Sequence, residues 1–213
     1  MAIIQASVPT RPSVVDPTEG WAGLQGAASA LRNPVHVDGT DASYLTRFGV
    51  SRTDINRQAL EGVPLTASVL EVGCSHGAQL NAMAAVGFTN LEGCDISADA
   101  LKACTWPHRL ADGRALPYAD GSFDVVMTSG TLMHIPPGAR ALFVSECYRV
   151  ARRWIYGVEG ANEGPERTWN FAGMVPNAWT ELLPENILRP PWRIVRSRWL
   201  HHIDGQVDKM SLR

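Results

Sequence analysis

The sequence lacks any long apolar run and any marked excess of one charge. No stretch approaches the roughly 18 uninterrupted apolar residues of a membrane-spanning helix. The 213 residues carry 19 Lys and Arg against 21 Asp and Glu, a formal net charge of -2. Broad nucleic-acid binding requires a basic surface, so we expect neither that activity nor membrane insertion. Residues 1–20 also lack the basic start and apolar run of a signal peptide, which predicts a cytoplasmic protein.

Cysteine and histidine are few, and their spacing matches no metal or redox motif. None of the six histidines stands in a metal-binding pattern. Without a secretory signal, the cysteines are expected to be buried thiols rather than disulfides. They are Cys74, Cys94, Cys104 and Cys147. We therefore predict no metal site.

The length and the 45% hydrophobic content suit one domain with a substantial core. We divide the chain into a flexible tail at 1–20, an N-terminal helical cap at 21–65 and a Rossmann-like domain at 66–213. In the cap, Trp21, Leu24, Ala28 and Leu31 fall at helical spacing, which predicts one apolar stripe. Ser51 is a plausible N-cap of a second helix that ends near Gly62.

From Ala67 onward, short apolar runs alternate with helical patterns, which indicates βαβ units and a parallel sheet. The predicted strands are Ser68–Val72, Asn90–Cys94, His108–Ala111, Phe123–Thr128 and Arg153–Val158. Near the C-terminus, the Asp204–Gly205 pair predicts a hairpin between two further strands.

The most informative segment is a strand that runs into a glycine-containing turn and then a helix. Gly73 permits a sharp turn, and Gly77 permits close packing of helix and strand. Free N–H groups of the helix then point to the crevice at the carboxyl end of the strand. Asp95 ends the second strand, where a carboxylate accepts hydrogen bonds from both hydroxyls of a ribose. Together these features predict an adenosine-containing cofactor.

Two residues of this segment favour S-adenosylmethionine over NAD. The middle glycine of the dinucleotide fingerprint lets backbone approach a pyrophosphate, and Ser75 replaces it here. Glu71 stands inside a buried strand, where an unpaired charge is costly unless it serves the turn or a cationic ligand group.

The stretch Val69–Glu159 resembles the class I S-adenosylmethionine-dependent methyltransferases, in particular the subgroup called methyltransferase type 11. The similar segments are LEVGCSHG at 70–77, GCDIS at 93–97 and ADGRALPYADGSFDVVMTSGTLMHI at 111–135. A lesser similarity, in FGVSRTDINRQAL at 48–60 and GFTNLEGCDI at 87–96, is to methylases associated with nonulosonic-acid and surface-polysaccharide gene sets.

The resemblance implies a role for each matching residue and a fold for the whole. It implies a Rossmann-like seven-stranded sheet with an antiparallel last strand. The turn under the methionine part would contain Glu71, Gly73, Ser75 and Gly77. Asp95 would hold the ribose, and the adenine would lie against Ile96, Asp112, Gly113 and Arg114. Ser129 and Gly130 would flank the sulfonium end.

The methyl acceptor is expected to be a small molecule, such as a sugar or another biosynthetic intermediate, methylated on oxygen or nitrogen. His134 is a candidate general base, or it satisfies a backbone group at a helix start. Glu159 is a candidate for orienting the acceptor, or it is a solvated strand terminus. Late tryptophans either contact the substrate or form a small secondary core: Trp169, Trp179, Trp192 and Trp199.

Three alternatives remain open at this stage. The same cofactor loop would serve a non-methylating enzyme that uses S-adenosylmethionine for cyclisation or aminocarboxypropyl transfer. An NAD-dependent oxidoreductase is disfavoured by Ser75, and a non-catalytic relative by the complete set of cofactor residues. We expect a monomer or a homodimer.

Overall fold

The computed structural model describes residues 17–32, 36–160, 197–201 and 207–212. Four helices come first: α1 Pro17–Ala22, α2 Leu24–Arg32, α3 Val37–Phe48 and α4 Arg52–Ala59. The alternating part follows with β1 Ser68–Val72, α5 Ala78–Val86, β2 Asn90–Asp95, α6 Ala98–Leu101, β3 His108–Leu110 and β4 Phe123–Ser129. A 3-10 helix at Leu132–His134, α7 Pro137–Val150, β5 Ala151–Gly160, β6 Ser197–His201 and β7 Val207–Leu212 complete the described elements.

The central sheet is parallel through five strands in the order β3-β2-β1-β4-β5. This order confirms the predicted α/β Rossmann-like fold. Beyond β5, the strand β7 pairs with β5 antiparallel, and β6 pairs with β7 antiparallel. The observed β3 ends at Leu110, one residue before the predicted end at Ala111.

Helices cover both faces of the sheet, so the central strands are apolar on both sides. Val69 and Leu70 are both 0% exposed, yet they belong to two separate core clusters because neighbours on a strand point to opposite faces. Burying each such side chain contributes roughly 1.5–3 kcal/mol. The rigid centre of the sheet thereby fixes the carboxyl ends of β1, β2 and β4.

The helices before the sheet only partly follow their predicted pattern. Ser51 caps α4 as predicted, since its Oγ accepts a hydrogen bond from the N–H of Asp54 (2.9 Å). The prediction of a single apolar stripe from Trp21 to Leu31 is wrong, because the segment divides at Gly23 into two helices, α1 and α2. Leu24 is 88% exposed and Leu31 is 89% exposed.

Several predicted features lie outside the described residues, namely 1–16 of the tail, the Asp204–Gly205 turn, Trp169, Trp179 and Trp192. Trp199 lies in β6, where only the backbone is described. No helix within the described ranges combines the length and the apolar character needed to cross a membrane.

Candidate ligand-binding site

A cavity of about 360 Å³ lies at the carboxyl ends of β1, β2 and β4. In an open α/β sheet, this edge is where ligands bind, because the loops that follow adjacent strands diverge there. The N-terminal helices form the opposite wall. The cavity includes ten of the residues that the sequence assigned to a cofactor: Glu71, Gly73, Ser75, Asp95, Ile96, Asp112, Gly113, Arg114, Ser129 and Gly130.

The turn after β1 requires a glycine at position 73. Its φ is +84°, and a Cβ placed there would lie 2.4 Å from Oγ1 of Thr131. Its N–H donates to the carbonyl of Cys94 on the neighbouring strand (2.8 Å). Ser75 also has a positive φ of 50°, which costs a non-glycine residue roughly 1–2 kcal/mol. The backbone of this turn is therefore held in one strained shape against the cavity.

Gly77 is the N-cap of α5 and does not line the cavity. Its φ is +85°, and an added Cβ would lie 3.0 Å from Sγ of Cys104 and 3.3 Å from the Trp106 ring. The sequence assigned Gly77 both to close packing and to the turn under the ligand. These contacts support the packing role, because the glycine lets α5 start close to the segment after α6. Its place in the turn under the ligand stays a prediction.

Asp95 projects into the cavity from the end of β2. Its Oδ2 accepts a hydrogen bond from the N–H of Ser75 (2.7 Å), and its Oδ1 accepts one from the N–H of Ser97 (2.8 Å). Burial raises the pKa of Asp95, and these backbone donors counteract the rise. Each carboxylate oxygen has two lone pairs, so both retain capacity for a ligand hydroxyl.

Glu71 is a buried carboxylate on β1, with 1% of its surface exposed. Its Oε2 has no hydrogen-bond partner among the described residues. Burial raises the pKa of Glu71 well above its usual range, and the charge of Arg52 opposes that rise. An unpaired acceptor of this kind is costly to the fold and suits a cationic ligand group.

Arg52 is a buried residue that the sequence reasoning missed as part of this site. Its Nη1 donates to the hydroxyl of Tyr44 (3.0 Å) and to Oγ of Ser129 (3.2 Å), and its Nε donates to Oδ1 of Asn56 (3.0 Å). Tyr44 and Ser129 line the cavity. Arg52 therefore connects the helical cap to the loop after β4. Its only signal was the similarity of the segment 48–60 to other methylases.

Asp112 and Arg114 line the cavity as a close ion pair. Nε and Nη2 of Arg114 donate to Oδ2 of Asp112 at 2.9 Å and 2.6 Å. The backbone N–H of Arg114 donates to Oδ1 of Asp112 (2.9 Å). A ligand amino group at Asp112 would share this carboxylate with the guanidinium. Gly113 lies beside them, where a Cβ would approach the Phe143 ring to 2.3 Å.

His134 lines the cavity and packs on Trp21 of α1, with 4.1 Å between the ring centroids. Its Nδ1 has no hydrogen-bond partner among the described residues. Burial lowers the pKa of His134 to about 4. The imidazole is therefore neutral at neutral pH and able to accept a proton, and the same lowering of its pKa makes it a weaker base than an ordinary histidine.

Glu159 does not line the cavity, and it is not a solvated strand terminus. It is 0% exposed near the end of β5. Its Oε1 accepts a hydrogen bond from the N–H of Thr131 (3.1 Å), and its Oε2 accepts one from the N–H of Leu132 (3.2 Å). Burial corrects the interpretation of a solvated strand terminus, because the carboxylate faces the neighbouring loop instead of water. A role in orienting the acceptor stays a prediction.

The wall opposite the sheet comes from the N-terminal helices. Its residues are Trp21, Gly26, Thr40, Ser43, Tyr44 and Arg47. Sequence patterns predicted the cap but not these side chains, since the helical periodicity does not say which face meets the sheet. No group of three or more His, Cys, Asp or Glu in the described ranges is arranged to hold a metal ion.

The chain is similar to one protein family and to solved structures of the same fold. Residues 70–154 match the family model of a methyltransferase domain. No curated protein matches the sequence. Solved structures with a similar fold include an S-adenosylmethionine-dependent methyltransferase from Aquifex aeolicus, at 14% identity and TM-score 0.59, covering 87% of this chain and 97% of that one.

Two further structures widen the comparison. The magnesium protoporphyrin IX methyltransferase from Synechocystis PCC 6803 has 15% identity and TM-score 0.60, over 95% of this chain and 100% of that one. The [4+2]-cyclase SpnF has 15% identity and TM-score 0.67, over 86% of this chain and 76% of that one. At these identities the likeness shows a shared fold.

Proposed function

We propose that this chain, whose residues 70–154 match the family model of a methyltransferase domain, binds S-adenosylmethionine and transfers its methyl group in line to oxygen or nitrogen of a small molecule. The observation that carries the proposal is one cavity that combines the Gly73 turn with the Asp95 carboxylate. The first supplies close backbone approach, and the second supplies the acceptor that a ribose needs.

The residues that line the cavity fit this cofactor. Glu71, with its unpaired buried Oε2, suits the cationic end of the molecule. A Cβ at Gly73 would collide with Thr131 and one at Gly113 with Phe143, so glycine keeps the backbone at both positions in its place along the cavity. We assign the ribose to Asp95 and the adenine to Ile96, Asp112, Gly113 and Arg114. The methionine end would lie among Glu71, Gly73, Ser75, Ser129 and Gly130, with Gly77 supporting the turn from behind.

When bound, S-adenosylmethionine supplies a methyl group that its sulfonium already activates. The residues of this chain then have to orient the acceptor and exclude water. Trp21 and His134 cover part of the cavity as a packed pair. His134, held neutral, would accept the proton of an acceptor hydroxyl, whereas a neutral amine releases its proton without that help.

The acceptor in this proposal is a small molecule with hydroxyl groups, such as a sugar or another biosynthetic intermediate. Ser43 and Arg47 on α3 line the cavity and offer a hydroxyl and a guanidinium to such a molecule. Their position on the wall opposite the Gly73 turn supports binding of an acceptor between helix and sheet.

A non-methylating use of the same cofactor is the second candidate. The similarity of the fold to that of a [4+2]-cyclase supports keeping this candidate. An NAD-dependent oxidoreductase is less well supported, because Ser75 occupies the turn where a pyrophosphate needs glycine. Formation of S-adenosylhomocysteine in the presence of acceptor separates methyl transfer from cyclisation.

We propose a helical cap that begins with α1 at Pro17, inside the predicted tail at 1–20, and runs to residue 65, followed by a cofactor domain at 66–213 in a monomer or homodimer. The pairings of β5, β7 and β6 support a seven-stranded sheet with an antiparallel last strand.

Calorimetric titration with S-adenosylmethionine, S-adenosylhomocysteine and NADH tests the cofactor. We expect micromolar binding of both sulfur ligands, no binding of NADH, and loss of binding in Asp95→Ala. Asp99→Ala is the matched control, because Asp99 lies in the next helix, 49% exposed and paired with Lys102. Undiminished binding in Asp95→Ala would refute the ribose assignment, and NADH binding alone would favour the oxidoreductase.

A further inference from the structure

The carboxylate of Glu159 holds two consecutive backbone N–H groups of another segment. The Thr131 N–H lies 3.1 Å from Oε1 and the Leu132 N–H lies 3.2 Å from Oε2. Glu159 is 0% exposed, so water does not compete for these bonds. Hydrogen bonds to a charged acceptor are about twice as strong as neutral ones. The carboxylate is thus a two-point attachment for the segment that follows β4.

The attached segment contacts the cofactor turn directly. Oγ1 of Thr131 lies 3.4 Å from the carbonyl oxygen of Val72. The side chain of Thr131 also fills the space that a Cβ on Gly73 would need. A displacement of Thr131 would therefore change the shape of the turn at Gly73.

The same segment leads into the 3-10 helix that contains His134. The N–H of His134 donates to the carbonyl of Thr131 (3.0 Å), so the helix starts from the residue that Glu159 holds. Gly130, the residue before Thr131, has a φ of +63° and lines the cavity. One carboxylate outside the cavity thus fixes the backbone of several residues inside it.

We propose that Glu159 is a positioning residue of the cofactor site, which clamps Thr131 against the Gly73 turn and sets the start of the His134 helix. This inference rests on the proposed cofactor. It assigns Glu159 no contact with the cofactor or the acceptor, since its two oxygens face the Thr131 and Leu132 amides. Its effect on binding passes through the backbone of the loop after β4.

Glu159→Gln tests the clamp, because an amide side chain presents one acceptor and one donor to two N–H groups. We expect the affinity for S-adenosylhomocysteine to fall about 10-fold to 100-fold, as for loss of a hydrogen bond to a charged group. In the ligand-free variant, hydrogen exchange at the Thr131 and Leu132 amides should accelerate by a similar factor. Glu159→Asp keeps the charge but withdraws it by one methylene, so we expect a smaller loss.

Asp124→Asn is the matched control at the opposite end of the same sheet. Asp124 also accepts a backbone hydrogen bond, from the N–H of Ser68 (3.1 Å), away from the cavity. We expect it to lower the melting temperature while the affinity stays within about two-fold. Wild-type affinity in folded Glu159→Gln, or in Glu159→Asp if the first variant does not fold, would overturn the inference. Failure of the wild type to bind would refute the proposed function instead, and the exchange data would still decide the clamp.

Discussion

The two edges of the parallel sheet use carboxylates in opposite ways. At the amino-terminal edge, Asp124 is the second residue of β4 and accepts hydrogen bonds from the N–H and the hydroxyl of Ser68. Those bonds and the charge of Arg152 lower the pKa of Asp124. At the carboxyl-terminal edge, burial raises the pKa of both Glu71 and Asp95. The same functional group is stabilised in its ionised form at one edge and penalised at the other.

This difference separates what holds the fold together from what prepares it for a ligand. A carboxylate with complete partners, such as Asp124, stabilises the strands that it connects. A buried carboxylate with an unpaired oxygen, such as Glu71, costs the ligand-free fold free energy. Such groups gather at functional sites because a ligand supplies the missing partner. The carboxyl edge should therefore respond to ligand and pH in ways that the amino edge does not.

The largest expected effect is the loss of stability when a buried arginine is replaced, measured against the same replacement of an exposed arginine. Arg52→Met would remove the charge beside Glu71 and the donors to Tyr44 and Ser129, which should lower the free energy of unfolding by about 3–5 kcal/mol. Arg152→Met removes a pair at 3.0 Å whose arginine is 55% exposed, and should cost less than about 1 kcal/mol. Urea unfolding of both variants measures the contrast. Equal losses of unfolding free energy in the two variants would mean that burial at the carboxyl edge does not make its charges more important to stability.

A second pair of variants tests the strained turn. Gly73→Ala places a Cβ against Thr131 at a φ of +84°, and should cost about 2–4 kcal/mol together with most ligand binding. Gly121→Ala, in the turn before β4, has a φ of +60° with open space around it, and should cost about 1 kcal/mol. Thermal unfolding and calorimetry report the two effects. A harmless Gly73→Ala would show that the turn adjusts freely.

The sequence predicted the parts of this site that local pattern controls. Gly73 follows a buried strand and precedes a helix, and Asp95 ends the next strand, so both positions follow from the order of the elements. Gly77 was predicted to permit close packing at the start of a helix, and the structure places it at the N-cap of α5 against Cys104 and Trp106. The parallel sheet followed from the alternation of strands and helices.

Contacts between distant segments could not be predicted in the same way. Arg52 reaches Ser129 across 77 positions, and nothing in α4 indicates that its guanidinium points to the sheet. Glu159 was placed near the pocket, but the direction of a side chain at a strand end depends on the loop that packs beside it. Trp21 was expected in a continuous apolar stripe, whereas the division at Gly23 turns it toward His134.

The third prediction concerns the charge of Glu71. A cationic ligand favours ionised Glu71, whose pKa is raised in the ligand-free protein, so binding should release a proton and affinity should increase with pH. Titration in buffers of different ionisation enthalpy measures that proton. In Glu71→Gln, the proton release should disappear and the affinity for S-adenosylmethionine should fall about 10-fold. Unchanged proton release would assign it to another group.

The same raised pKa fixes the sign of a stability effect. Folded Glu71 holds its proton to a higher pH than the unfolded chain does, so the stability that it contributes decreases as the pH rises through that interval. Asp124 has a lowered pKa, and its contribution is lost only as the pH falls through that pKa. Relative to the wild type, Glu71→Gln and Asp124→Asn should therefore change the slope of the unfolding free energy against pH in opposite directions. Urea unfolding at a series of pH values measures that slope.

The smallest expected effect concerns His134, a base at the same carboxyl edge as Glu71 and Asp95. His134 should titrate near pH 4, because its ring is buried against Trp21 at the carboxyl edge. Its neutral form is favoured in the fold, so its stabilising contribution should be complete above about pH 6.5 and decline as the pH falls toward 4. Ring proton shifts in NMR follow the midpoint, and Trp21→Ala should move it upward by admitting water. A midpoint near 6.5 in the wild type would show that this wall of the cavity is already hydrated. The raised pKa of Glu71 would then reflect the sheet alone and not the closure of the helices over it.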